Sequence, residues 1–225
     1  MRYSDKGITE MHKLGNVTTG LVCAAAVCVA AQAEQPKFAV PGSGSGCFDF
    51  ADLTVGERYV VGQVVETRYG PVELVDYTLN RTTPNPDEPA AIRAEVDSSS
   101  IAGTGPELRL YLINAAFVPD KPLKKVTFDV AESWAGGVPT GAHSNLSVNG
   151  ARVEVPNSLR AIDGKKIGRK NRGKAKVTVD ITQPAPDSNW ATGSVQLEAV
   201  GNGKIHRVAW GGRQVKIDNV CFEEA

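Results

Sequence analysis

Charge of one sign is missing from this 225-residue chain: lysine plus arginine and aspartate plus glutamate both number 25. No global field therefore draws it to nucleic acid or to a membrane surface. Long hydrophobic runs are missing too. The longest, residues 21–31, would span roughly 16 Å as a helix, too short for a hydrocarbon core of about 30 Å. Histidine is scarce at three, and no GxSxG, HExxH, P-loop or strand-to-helix GxGxxG pattern occurs. The chain thus lacks the signatures of nucleophilic, zinc-hydrolytic and nucleotide chemistry. Cysteine is limited to four, with no CxxC or His-rich cluster to make a zinc site.

What is present begins with an address. The apolar run follows His12-Lys13 and ends in Ala31-Gln32-Ala33, the small-x-small pattern of a cleavable secretory signal. Residues 1–33 are read as the leader, with Met11 as a second possible start. Removing them leaves a nearly neutral chain and a secreted or periplasmic location. Val22 and Val27 stand before Cys23 and Cys28, where lipoprotein signals carry Gly, Ala or Ser, which argues against lipid attachment. Only Cys47 and Cys221 survive processing. In an oxidising compartment they are expected to pair, two free buried thiols being the alternative.

Glycine at 23 and proline at 13 suit a chain that turns often between short strands. Residues 34–46 read as a flexible lead-in, and residues 47–225 as one β domain. Every second residue is apolar in 108–112, 126–130, 176–181 and 195–197, as half-buried strands require. Further strands are expected at 59–67, 72–79, 91–96, 145–148, 152–155, 206–210 and 214–222. Asn149-Gly150 is the strongest hairpin signal, because a type I′ turn needs positive φ at both central residues. The fold class expected is all-β, a sandwich of two antiparallel sheets.

The opening Cys47-Phe48-Asp49-Phe50-Ala51-Asp52-Leu53 and the closing Val215-Lys216-Ile217-Asp218-Asn219-Val220-Cys221-Phe222 together resemble the edge strands of secreted bacterial jelly-roll β-sandwiches, including carbohydrate-binding modules of the galactose-binding-like type. That resemblance implies a jelly roll and a structural calcium ion held by Asp218 with Asp49 or Asp52, although the usual opening acid is a glutamate. Calcium takes six to eight oxygens, which carboxylates and carbonyls supply. The alternative is that Asp218 and Asn219 make bulge hydrogen bonds without an ion.

Three candidate chemistries remain. Trp190, after Asn189 at the end of a proline-rich loop, and Trp134 at a strand end are candidate sugar-stacking rings, whereas Trp210 reads as core. The segment from Lys165 to Lys176 concentrates seven cations, and Lys165, Lys166, Arg169, Lys170 and Arg172 form a candidate polyanion site. Its alternative is an edge strand guarded by charge. His143 and His206 read as structural. The function expected is a non-catalytic module binding extracellular polysaccharide or a cell-surface glycan, with no nucleic-acid partner and no membrane insertion. A polysaccharide hydrolase or lyase on the same scaffold, and a structural surface or matrix protein, are the alternatives.

Overall fold

A computed structural model describes residues 35–40, 47–77, 92–98, 101, 105–135, 138–139, 144–182 and 189–225, excluding the side chains of 134, 135, 138 and 139. Residues Gln35–Ala225 form one unit. The expected leader, His143 and the side chain of Trp134 lie outside the described residues.

Among the described residues there are sixteen strands, one 3-10 turn at Leu159–Ile162 and no α-helix, and nothing helical is long and apolar enough to cross a membrane. The strands are β1 (Cys47–Phe48), β2 (Arg58–Tyr59), β3 (Val64–Thr67), β4 (Gly70–Asp76), β5 (Arg93–Asp97), β6 (Glu107–Tyr111), β7 (Ile113–Phe117) and β8 (Leu123–Ala135). They continue as β9 (Val138–Pro139), β10 (Ser144–Val148), β11 (Ala151–Val155), β12 (Lys166–Arg169), β13 (Gly173–Ile181), β14 (Trp190–Ala199), β15 (Val208–Gly212) and β16 (Val215–Glu224).

They make a sandwich of two antiparallel sheets. The larger runs β12-β13-β14-β8-β16-β6-β5-β2, with β1 on β16 and β9 on β8; the smaller runs β11-β10-β15-β7-β4-β3. Val126, Phe128 and Val130 of β8 face inward, buried at 1% exposure or less. Phe128 meets the fully buried Trp210 of the smaller sheet at 5.7 Å between ring centroids, so the Trp210 expectation holds. The polar residues between them, Thr127 and Asp129, face outward, as the period of two demands.

The Cys47–Cys221 disulfide is formed. Its cysteines stand directly opposite each other in the β1·β16 pair, and Phe48 stands opposite Val220. Cα atoms 4.2 Å apart suit a position between ladder hydrogen bonds, where side chains approach closest.

Residues 59–67, expected as one strand, divide into β2 and β3, and β12 lies where no strand was expected from periodicity; two further features depart from the sequence expectation. The lead-in placed over residues 34–46 is not wholly outside the domain: Phe38 is buried, exchanges backbone bonds with Val118 and Asp120, and packs on Phe48 and Phe222 at 5.0 and 4.7 Å. One ring's burial outweighs the glycines that follow it. The second of these is β7, which reads as no strand in the sequence. All five of its residues are buried, so no outward polar residue marks the alternation.

Candidate functional site

Register decides which outward side chains of the larger sheet meet. Asp97 stands opposite Glu107, Asp218 opposite Asp129, Asp129 opposite Ser194 and Ser194 opposite Asp180. The Leu108–Ile217 pairing sets Glu107 beside Asp218. Five carboxylates from five strands therefore share one cross-strand row. Like charges on adjacent strands repel, so the row needs compensation.

Lys216 supplies most of it. Buried itself, it pairs with the buried Glu107 and, at 3.2 Å, with Asp97. Arg109 reaches Asp97 at 3.6 Å. Both cations also lie against the half-buried Trp190 ring, Lys216 Nζ at 4.7 Å and Arg109 at 5.3 Å from its centroid. Arg109 and Arg93 lie against Tyr111 at 4.6 Å each. These cation–π contacts hold Trp190 on the sheet face. Asn189, beside it, is exposed.

A groove of about 340 Å³ opens on the same face, lined by Ile101, Asp129, Asp180, Thr182, Thr192 and Ser194. Thr192 and Ser194 follow Trp190 at steps of two along β14, hence on its side. Asp129 Oδ2 accepts the Asn219 side-chain amide at 2.9 Å, and Thr182 donates its hydroxyl to the Thr192 carbonyl. The groove presents carboxylate acceptors and hydroxyls to a polyhydroxylated ligand.

The residues expected to hold calcium are arranged differently from one another. Asp49 pairs with the Arg68 guanidinium and Asp52 Oδ2 accepts the Arg68 backbone N–H at 2.6 Å, so one arginine ties both opening acids. Asp218 sits at a β-bulge in β16, where Asn219 adopts φ 46° and donates its N–H to Asp218 Oδ1 at 2.8 Å. Asp218 Oδ2 is buried without a partner. Among the described residues no three His, Cys, Asp or Glu side chains converge to hold a metal.

Burial pushes the Asp218 carboxyl up to about 7, with repulsion from Glu107, Asp129 and Asp49 adding to the rise and the Asn219 N–H opposing it. A folded-state value above the ordinary carboxylate range means that the folded protein holds a proton that the unfolded chain has released. Stability from this group is full below about pH 4 and is lost as pH rises through 7, by roughly 2–4 kcal/mol. Glu132 shifts in the same direction: burial dominates, against bonds from Leu159 N–H and the Ser158 hydroxyl. The urea midpoint is expected to fall between pH 4.5 and 7.5, and Asp218→Asn is expected to flatten that slope. An equally steep profile in the variant would refute the assignment.

The cations expected to bind polyanions separate in space. Lys166 stands opposite Lys176 at one end of β12, and Arg169 opposite Gly173 at the other. All five candidates, Lys165, Lys166, Arg169, Lys170 and Arg172, are exposed, and β12 is an outermost strand of its sheet, the position where lysines discourage edge pairing.

Asp129 and Asp180 are the groove residues that sequence reasoning passed over. Both were visible as polar positions in alternating strands, but 51 residues separate them and only the β8-β14-β13 order brings them together. Compared with protein-family models, with curated proteins and with solved structures, the chain matches none.

Proposed function

We propose that the protein is an exported, non-catalytic glycan-binding module whose ligand lies on the outer face of the larger sheet, against Trp190 and along the Thr192–Ser194 groove. One observation carries this reading: a tryptophan held by two cations stands on the same strand face, two residues along β14, as a groove whose lining alternates carboxylates and hydroxyls. A sugar ring has apolar C–H faces that suit an indole and vicinal hydroxyls that donate to a carboxylate. Holding the ring in place before binding lowers the ordering cost. The resemblance of the two edge strands to carbohydrate-binding jelly rolls supports the same class, and a structural calcium near Asp218 belongs to that reading as a separate proposal.

The test is glycan-array screening with and without calcium, followed by calorimetry on any ligand found. Trp190→Ala is expected to weaken binding by about tenfold to a hundredfold, the loss of one stacked ring and its buried area. Unchanged affinity in that variant would overturn the placement, and an array with no ligand would favour a structural surface protein.

A hydrolase is the second reading, and one observation favours it. Asp129 and Asp180 flank the groove from strands two spacings apart, about 9.6 Å, near the upper end of the separation used by inverting glycosidases, about 6.5–9.5 Å. Release of reducing ends from a bound polysaccharide, abolished by Asp180→Asn, would decide for catalysis.

A further inference from the structure

The most basic stretch of the sequence takes no part in the sheet-face groove, and the structure draws only part of it into a second opening. This cleft, about 570 Å³, is lined by Gln35, Asn149, Asn171, Arg172, His206 and Arg207. It forms where three turns meet: the β10–β11 hairpin at Asn149-Gly150, the β12–β13 hairpin at residues 170–172, and the segment leading into β15.

One side chain joins all three. The Asn149 amide donates to the Arg172 carbonyl at 2.6 Å and the Lys204 carbonyl at 2.7 Å, and its oxygen accepts the backbone N–H of His206 at 2.7 Å and of Arg207 at 3.3 Å. Asn149 is 4% exposed. Its φ of 53° and that of Gly150, 76°, are the positive values the hairpin demanded, so the residue chosen for the turn also fixes two neighbouring turns. Gly173, at φ 90°, allows the close approach, since a Cβ there would collide with the Lys204 backbone.

The cations so placed have charge to spare. Arg207 spends one nitrogen on Glu73 at 3.3 Å, and its Nε is buried without a partner. Arg169 donates to the Gly150 carbonyl at 3.0 Å, at the rim of the cleft. Among the described residues no carboxylate pairs with Arg169, Lys170 or Arg172. Arg207, held by Glu73, and Arg169, held by the Gly150 carbonyl, bring guanidinium groups to this opening, and a guanidinium matches sulfate or carboxylate oxygens in pairs, which a lysine does not do.

We propose that this cleft is an anion site for sulfate or carboxylate groups carried on a glycan chain, read by the arginines that Asn149 positions rather than by the charge of the whole basic segment. It does not rest on the Trp190 reading. Lys165 and Lys166 provide the internal comparison: Lys166 lies three residues from Arg169 along an extended strand, about 10 Å away.

The experiment measures binding of heparin, of polygalacturonate and of neutral dextran to the mature protein at 50 and 300 mM NaCl. Arg169→Gln with Arg172→Gln is compared against Lys165→Gln with Lys166→Gln. Both pairs are exposed and remove equal charge, and circular dichroism confirms the fold of each. The arginine pair is expected to weaken polyanion binding by about tenfold or more, and the lysine pair by less than about twofold. Raising the salt is expected to weaken what remains. Binding of heparin alone assigns sulfate, of polygalacturonate alone assigns carboxylate, and either supports the site. Equal losses in the two variants, or no binding of either polyanion, would overturn it. Trp190→Ala is expected to leave this binding unchanged, so the two sites fail or stand separately.

Discussion

Replacing Cys47 and Cys221 together by alanine is expected to lower the unfolding free energy by up to ~5 kcal/mol and the melting temperature by about 10–20 °C. The disulfide closes a loop of 174 positions, and a loop that long removes much of the freedom of the unfolded chain. A local effect adds to the entropic one. β1 is held to β16 by only two residue pairs, and its Phe48 is fully buried among Phe38, Phe117, Phe222 and Tyr69 at centroid distances of 5.0–6.0 Å. Without the covalent tie this short strand would open first, exposing the aromatic cluster. Urea denaturation with hydrogen exchange checks both parts. A loss below about 1 kcal/mol, with Phe48 still protected, would show that packing alone closes the domain.

Lys216→Met is expected to cost about 3–5 kcal/mol. The reason is the partner left behind: Glu107 is fully buried, and it also accepts the Ile101 N–H at 2.9 Å. A buried carboxylate deprived of its cation is far more costly than the pair was worth. Adding Glu107→Gln is therefore expected to restore much of the loss, and a double-mutant cycle by thermal or chemical melting measures the coupling. Additive losses would mean that the lysine acts through its aliphatic packing alone. The same substitution removes one of the two cations on Trp190, so glycan affinity should weaken in the single variant and stay weakened in the double.

The legible part of this protein was its strand periodicity and its two ends. Alternation in 126–130 and 176–181 marked β8 and β13; β8 runs longer than its pattern because Glu132 breaks the apolar rhythm without breaking the ladder, and β13 carries the same alternation back through Ala175 and Lys174. The uniformly buried β7 and the short edge β12 carried no such pattern. Phe38 was hidden for another reason: a single aromatic before a glycine-rich stretch gives no periodic signal, yet its ring completes a cluster whose other members lie up to 184 residues away.

The candidate sites divide in the same way. Trp190 was conspicuous as a large ring beside a polar loop, and Asn149-Gly150 as a hairpin. Nothing local showed that Asp129, Asp180 and Ser194 would share a row, or that Asn149 would reach Lys204 and His206. Nor did local pattern show that Lys165 and Arg172, seven residues apart, would serve different surroundings.

By itself the sequence determined an all-β chain, because alternation and turn chemistry are local properties, whereas the Cys47–Cys221 pairing was expected only through the reading of residues 1–33 as a leader. Which outward residues face a common ligand was decided only by strand order and register. A side chain on a sheet meets the residue across from it on the next strand, and that neighbour is chosen by the packing of the whole sandwich rather than by proximity along the chain.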